Sequence, residues 1–441
     1  MCATSVNCRS TLGRGPEVDT REKYEKYVNT GFMPAVDPLV IDRAEGATYF
    51  GTDGSSFIDC FAGISVVNTG HANRQVLAAA GEQMERLVHC SSYLYHVEVV
   101  ADLAEKLAQI TPGDLRKTFF GNSGAEAVEG SARLARRYSE KNEAIALTHS
   151  FHGRTYGTLS LTGNATRKRG GGPYMPGVAF APAPYCYRCP LGREVESCGM
   201  ACARAIDDVI NFHTADNVAY FIAEPLLGEG GLIVPPDDYF KVAKEVLDQH
   251  GVLFIADEVQ SGFCRTGKMF AIEHSGVEPD IMAMAKGIAN GFPLGAFIAR
   301  QEIADAFQPG DHLTTFGGNP VSCAAALANI RFMEDEKLAD QAAAKGARVM
   351  QALREIEPKH ATIGEVRGRG LMIGIEMVAD ARSRAPAADD AKRIKAAVRD
   401  RGVVIGIGGV YGNVLRIQPP LTISDDELDT VLGALRETME A

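Results

Sequence analysis

No stretch of this sequence is apolar for long enough to span a bilayer, and its start, Met1-Cys2-Ala3-Thr4-Ser5-Val6-Asn7-Cys8, lacks the basic and apolar regions of a secretory signal. No membrane span is expected, and a cytoplasmic location follows. Basic charge is short as well. With 45 Lys and Arg against 56 Asp and Glu the net charge is -11, which argues against a nucleic-acid or anionic-membrane partner and is silent about small substrates. Internal repeats, low-complexity tracts and linkers are missing too, although the stretch 382–390 reads as a polar surface loop. What remains is a chain of 441 residues with ordinary apolar (46%) and charged (23%) fractions. That is enough to bury large cores, as one large domain with smaller terminal ones.

The first twenty or so residues are polar and predict an arm leading to a helix at 21–28. Between about 60 and 330, short β-rich runs alternate with helical patterns, which predicts an α/β class with a parallel sheet covered on both faces. The runs are 117–120, 144–148, 219–223, 252–256, 281–283 and 294–299. In such sheets ligands bind beyond the carboxyl ends of the strands. Five of the six runs deliver chemistry there: Gly121-Asn122-Ser123-Gly124-Ala125, Phe151-His152-Gly153-Arg154, Glu224, Asp257-Glu258-Val259-Gln260, and Lys286.

Ser123, Gly124 and Ala125 lie between a strand and a helical stretch, where free backbone N–H groups and the helix dipole can hold a phosphate. A capping box formed by Ser123 and Glu126 is the alternative, and the two are compatible. Asp257 ends an apolar run, so its carboxylate needs a cationic partner: a pyridinium nitrogen, or an ordinary arginine. Lys286, at the end of a buried strand and in glycine-rich backbone, can have a depressed pKa and become a nucleophilic amine that condenses with an aldehyde. A solvated lysine is the ordinary alternative.

Taken together, Asp257-Glu258-Val259-Gln260-Ser261-Gly262-Phe263-Cys264-Arg265-Thr266-Gly267 and Ala283-Met284-Ala285-Lys286-Gly287 resemble the signature of the class III aminotransferases. This is the fold-type I, pyridoxal-phosphate family that includes 4-aminobutyrate, acetylornithine and ornithine aminotransferases. The likeness runs from about Phe32 to the carboxyl end and includes Asn68-Thr69-Gly70-His71, Glu224-Pro225, Phe316-Gly317-Gly318-Asn319-Pro320 and Val366-Arg367-Gly368-Arg369-Gly370-Leu371. It implies an arm and part of a small domain in 1–60, a large cofactor domain in 61–330 and a small α+β domain in 331–441.

The resemblance also implies roles. Lys286 would form the Schiff base with pyridoxal 5′-phosphate and Asp257 would pair with the pyridine nitrogen. Phe151 would stack on the ring, with His152 beside it, and Gln260 would lie near the 3-hydroxyl. Ser123, Gly124 and Ala125 would hold the phosphate, and Thr315 would reach that of a neighbouring subunit in a homodimer or dimer of dimers. Arg416 would take the substrate carboxylate, Glu224 would gate it by pairing with Arg416, and Arg154 would bind a second carboxylate. The donor pocket would be shaped near Phe32 and at 65–67. The implied activity is ping-pong transfer of an amino group from an ω-amino acid such as 4-aminobutyrate to a 2-oxo acid, 2-oxoglutarate. Within the same fold, a pyruvate-, glyoxylate- or ornithine-type transferase and an amino-acid racemase or aminomutase are the alternatives.

One segment stands outside that pattern. Cys186, Cys189, Cys198 and Cys202 crowd into a short stretch, and four thiolates meet the ligand count of zinc or an iron–sulfur cluster. Unligated thiols in an insertion are the alternative, and a metal here would be structural.

Overall fold

The structure, a computed structural model, describes residues 19–31 and 36–440; most of the expected N-terminal arm, and Phe32, lie outside the described residues. The first helix forms at Thr20–Tyr27, with the Asp19 side chain accepting the Arg21 amide as its cap.

A seven-stranded sheet organises the molecule, in spatial order Leu115–Gly121, Gly295–Arg300, Ile281–Met284, Leu253–Asp257, Val218–Ala223, Glu143–Leu147 and Val178–Ala181. The central strands are buried along their whole length, which is why they read as unbroken apolar runs rather than alternating ones. All six expected strands are present, with ends shifted by a residue or two. The seventh, Val178–Ala181, escaped the sequence reading: it is a short edge strand with only Ala181 buried, so its pattern is weak. Most pairings are parallel, but Gly295–Arg300 runs antiparallel to both neighbours. Only residues 285–294 separate it from Ile281–Met284, too few for the crossover that a parallel pair requires. As a result its start, the Lys286 segment and the carboxyl ends of the parallel strands share one edge of the sheet.

Two four-stranded sheets are built from the remaining chain. Ile41–Glu45, Thr48–Gly51 and Ser56–Asp59 are joined by Val403–Val404, which pairs in parallel with Ser56–Asp59 and so brings both ends of the chain together. Ile363–Arg369, Met372–Met377, Val414–Ile417 and Gly406–Gly408 make the other, antiparallel throughout. The expected loop at 382–390 stops at Ala387, because Asp389 and Asp390 supply the acidic first turn of a helix, Ala388–Arg399. One apolar cluster includes Phe254 of the large sheet and Ile373 and Ile417 of the last one.

Arg265 locks these parts together. It is fully buried, and its guanidinium donates to the carbonyls of Leu371 (3.2 Å) and Pro419 and to the side-chain oxygen of Asn68. Every one of these acceptors is neutral, and burial pushes its pKa down to about 9.

Candidate active site

The strand Leu115–Gly121 turns directly into the helix Gly124–Ser139, capped by Ser123, whose Oγ accepts the Glu126 amide at 3.2 Å. The Glu126 carboxylate reaches back to the amide and side chain of Asn122, at 2.8 and 2.9 Å. Capping therefore occupies Ser123 and Glu126, while the first-turn amides of Gly124 and Ala125 have no acceptor within the helix and remain for an anion. Gly124 has no room for a side chain: a Cβ there would lie 2.7 Å from Val259 Cγ1.

Beside that helix start, Asp257 is buried at the last position of Leu253–Asp257. Its Oδ1 accepts the Val259 amide at 3.0 Å, and its Oδ2 accepts from His152 Nδ1 at 2.7 Å. Since a carboxylate can only accept, Nδ1 carries a proton; Nε2 is buried with no hydrogen-bond partner. Lys286 follows the strand Ile281–Met284 with a left-handed backbone, φ 47°, a conformation that costs a non-glycine residue energy and that clusters at functional positions. Burial lowers the pKa of its amine, opposed by the negative charges of Asp257 and Glu224. Phe151 is half-buried, and its amide donates to Glu224 at 2.9 Å.

The third wall carries Arg416, buried in the strand Val414–Ile417. Its guanidinium donates to Gln260 Oε1 at 3.0 Å and Gln418 Oε1 at 3.1 Å, and Gln418 donates in turn to Ser65 Oγ at 2.7 Å. Ser65 ends a run of left-handed residues from Ala62, and its hydroxyl meets this wall through Gln418.

The gate differs from expectation. Glu224 does not pair with Arg416: its two oxygens are taken by the amides of Phe151 and Gly228, at 2.9 and 2.8 Å, and burial pushes its pKa up to about 7. Sitting directly at a strand end, it is captured by the backbone that turns around it. The carboxylate that faces Arg416 is Glu229, 3.8 Å away, on the tip of the following turn. A charged residue embedded in Gly228-Glu229-Gly230-Gly231 was the available sequence signal. Arg154 and Thr315 are both exposed, on the loop before the helix Tyr156–Leu161 and on the segment before Phe316.

The cysteine segment also departs from the metal reading. Cys186, Cys189, Cys198 and Cys202 do line one cavity. Among the described residues, however, no group of three or more Cys, His, Asp or Glu side chains is placed to hold a metal ion. Local turns direct the sulfurs instead: Cys189 accepts the Arg193 amide at 3.4 Å, and Cys198 donates to the Val195 carbonyl at 3.5 Å.

An amine with a lowered pKa, a buried carboxylate and a helix start with free amides and a close-packed glycine lie together at one edge of the sheet. They match the aldehyde, ring nitrogen and phosphate of pyridoxal phosphate, and Lys286, Asp257 and the Ser123–Ala125 turn are the residues that would hold it. The profile of the family described as "Aminotransferase class-III" matches residues 32–439. A leucine/methionine racemase of Thermococcus litoralis is 40% identical over 420 residues, 95% of this chain and 94% of that one. An acetylornithine aminotransferase of Methanothermobacter thermautotrophicus is 41% identical over 399 residues, 90% and 93% of the two chains. Among solved structures, a PLP-bound amine transaminase from an uncultivated Pseudomonas species superposes with a TM-score of 0.87 at 35% identity, covering 92% of this chain and 97% of that one. The chain belongs to the class-III aminotransferase family, with its fold-type I, pyridoxal-phosphate-dependent architecture.

Proposed function

We propose that this enzyme moves an amino group from an ω-amino acid of the 4-aminobutyrate type to a 2-oxo acid, 2-oxoglutarate, in a ping-pong cycle. The observation that carries this reading is the Arg416–Glu229 pair: a buried arginine with an anion close by, 3.8 Å away. Such a pair serves a substrate that brings a carboxylate, when Glu229 stands aside, and one that does not, when Glu229 closes.

When bound, the cofactor supplies an aldehyde for the amino group and a ring that accepts electrons from the substrate carbon. Lys286 moves the proton at that carbon, its pKa lowered toward the working range of a general base. Asp257, oriented by His152, keeps the ring nitrogen protonated. With the cofactor bound, Phe151 would cover its ring, Gln260 would serve its 3-hydroxyl, and the Gly124 and Ala125 amides with Ser123 would hold its phosphate. Arg154 receives a second carboxylate. Thr315 serves the phosphate of a neighbouring subunit in a homodimer. Exposed Leu94, Tyr95, Leu313 and Phe316 support that assembly, as apolar side chains left to water mark contact surfaces.

The test is to mix purified holoenzyme with donor amines one at a time and follow loss of the bound cofactor's long-wavelength absorbance, then its return with each 2-oxo acid. A second reading, racemisation of an α-amino acid, is favoured by the 40% identity to the leucine/methionine racemase. Inversion of an amino acid without any 2-oxo acid would replace the transferase reading with this one.

A further inference from the structure

Arg167 has no part in the roles above. It ends the short turn Ala165–Arg167 and is 44% exposed, whereas Arg416 is 3% exposed. Both its Nε, at 2.8 Å, and one terminal nitrogen donate to a single oxygen of Glu229. The other oxygen of that carboxylate faces Arg416 at 3.8 Å, beyond hydrogen-bond length. One carboxylate is thus divided unequally between two guanidiniums, bonded to the exposed one and merely near the buried one.

That division is the reverse of what desolvation alone would produce. Arg416 is cut off from water and has the greater need of an anion, while solvent already serves Arg167. The backbone cannot account for it by restraint of position alone, since it fixes the turn and leaves the side chain to choose. The Glu229 carbonyl accepts the Gly409 amide at 3.0 Å, the Gly228 amide donates to Glu224, and the Gly231 carbonyl accepts from Arg367. Only the carboxylate is left to swing.

We propose that Arg167 is a specificity-determining positioning residue that holds Glu229 off Arg416, making the open gate the resting arrangement and favouring substrates that bring a carboxylate to Arg416. The proposal rests on the reading of Arg416 as the carboxylate partner. Donors without a carboxylate at that point bind with Glu229 released from Arg167 and closed on Arg416.

The test uses holoenzyme and pentanoate, a straight-chain carboxylate with no amino or keto group to react, with its Kd measured by calorimetry. Arg167→Met is expected to weaken pentanoate roughly two- to fivefold, the worth of a half-exposed ion pair. Arg167→Lys should recover part of the loss, and in a Glu229→Gln background Arg167→Met should have no further effect. In turnover the change should fall on KM for the 2-oxo acid rather than on kcat. Undiminished pentanoate binding in Arg167→Met, or a loss that persists in the Glu229→Gln background, would overturn the proposal. Arg416→Met distinguishes the underlying reading: if it too binds pentanoate as well as the wild type, the carboxylate assignment of Arg416 fails and the proposal with it.

Discussion

Replacing His152 with alanine removes the only side chain that donates to Asp257 among the described hydrogen bonds, and leaves a buried carboxylate with one backbone amide. The 2.7 Å contact is short and charge-assisted, between two residues that are each 3% exposed. Such bonds contribute about 1.5–3 kcal/mol. Asp257 would then be free to rotate away from the ring nitrogen, so most of that energy should come out of cofactor affinity. At 1.4 kcal/mol per factor of ten, the expected weakening is about 10- to 100-fold. The assay is titration of apoenzyme with pyridoxal phosphate, followed by absorbance. Melting of the apo form separates this effect from simple loss of fold. His152→Asn places an amide N–H where Nδ1 stands and should keep most of the affinity. Cofactor binding by His152→Ala at wild-type strength, or His152→Asn as weak as alanine, would show that the imidazole does not orient Asp257.

Lys286→Ala should abolish both the long-wavelength absorbance of added cofactor and turnover, while circular dichroism stays unchanged; residual turnover would remove Lys286 from the chemistry. Gly124→Ala forces a methyl to 2.7 Å from Val259 Cγ1 and should lower cofactor affinity by about tenfold, for an overpacking cost of about 1–3 kcal/mol, read by the same titration. Glu258 is fully buried, accepts from Ser261 and the Ile272 amide, and has its pKa pushed up to about 7 by burial. Its folded pKa lies above its unfolded one, so its contribution to stability is fully present below about pH 4.5 and is lost as pH rises through about 7. Glu258→Gln should flatten the fall in Tm across that window, by up to about 3 kcal/mol of stability; an unchanged slope would count against an ionising Glu258.

The parts of the site that could be read from sequence are those fixed by chain position. Asp257 and Lys286 stand at the ends of buried strands, and Ser123 stands where a strand becomes a helix, so topology alone carries them to one edge of the sheet. The parts that could not be read depend on where a side chain goes after the backbone has turned. Glu224 and Glu229 lie five residues apart in one turn, and only the fold decides which is held by amides and which is left to face Arg416. Arg167 and Glu229 are brought together across 62 positions, a distance over which no local pattern speaks. The same holds for the cysteines: their number left four ligands and unligated thiols both open, and two of the sulfurs are directed by their own turns. The edge strand at 178–181 shows the limit for structure itself, since burial on one residue leaves almost no periodicity to detect.

Arg265 joins residues 68, 371 and 419 through a single interior cation with only neutral acceptors. Pulling any one of these segments away would strand that charge in a dry interior, at a cost of several kcal/mol. The segments carrying these three acceptors are therefore expected to move as one body when substrates bind. Small-angle scattering of the holoenzyme with and without a saturating dicarboxylate should superimpose; a compaction on binding would contradict this. A scaffold held in this way would leave discrimination between successive substrates to side chains that can swing, as proposed for the carboxylate of Glu229.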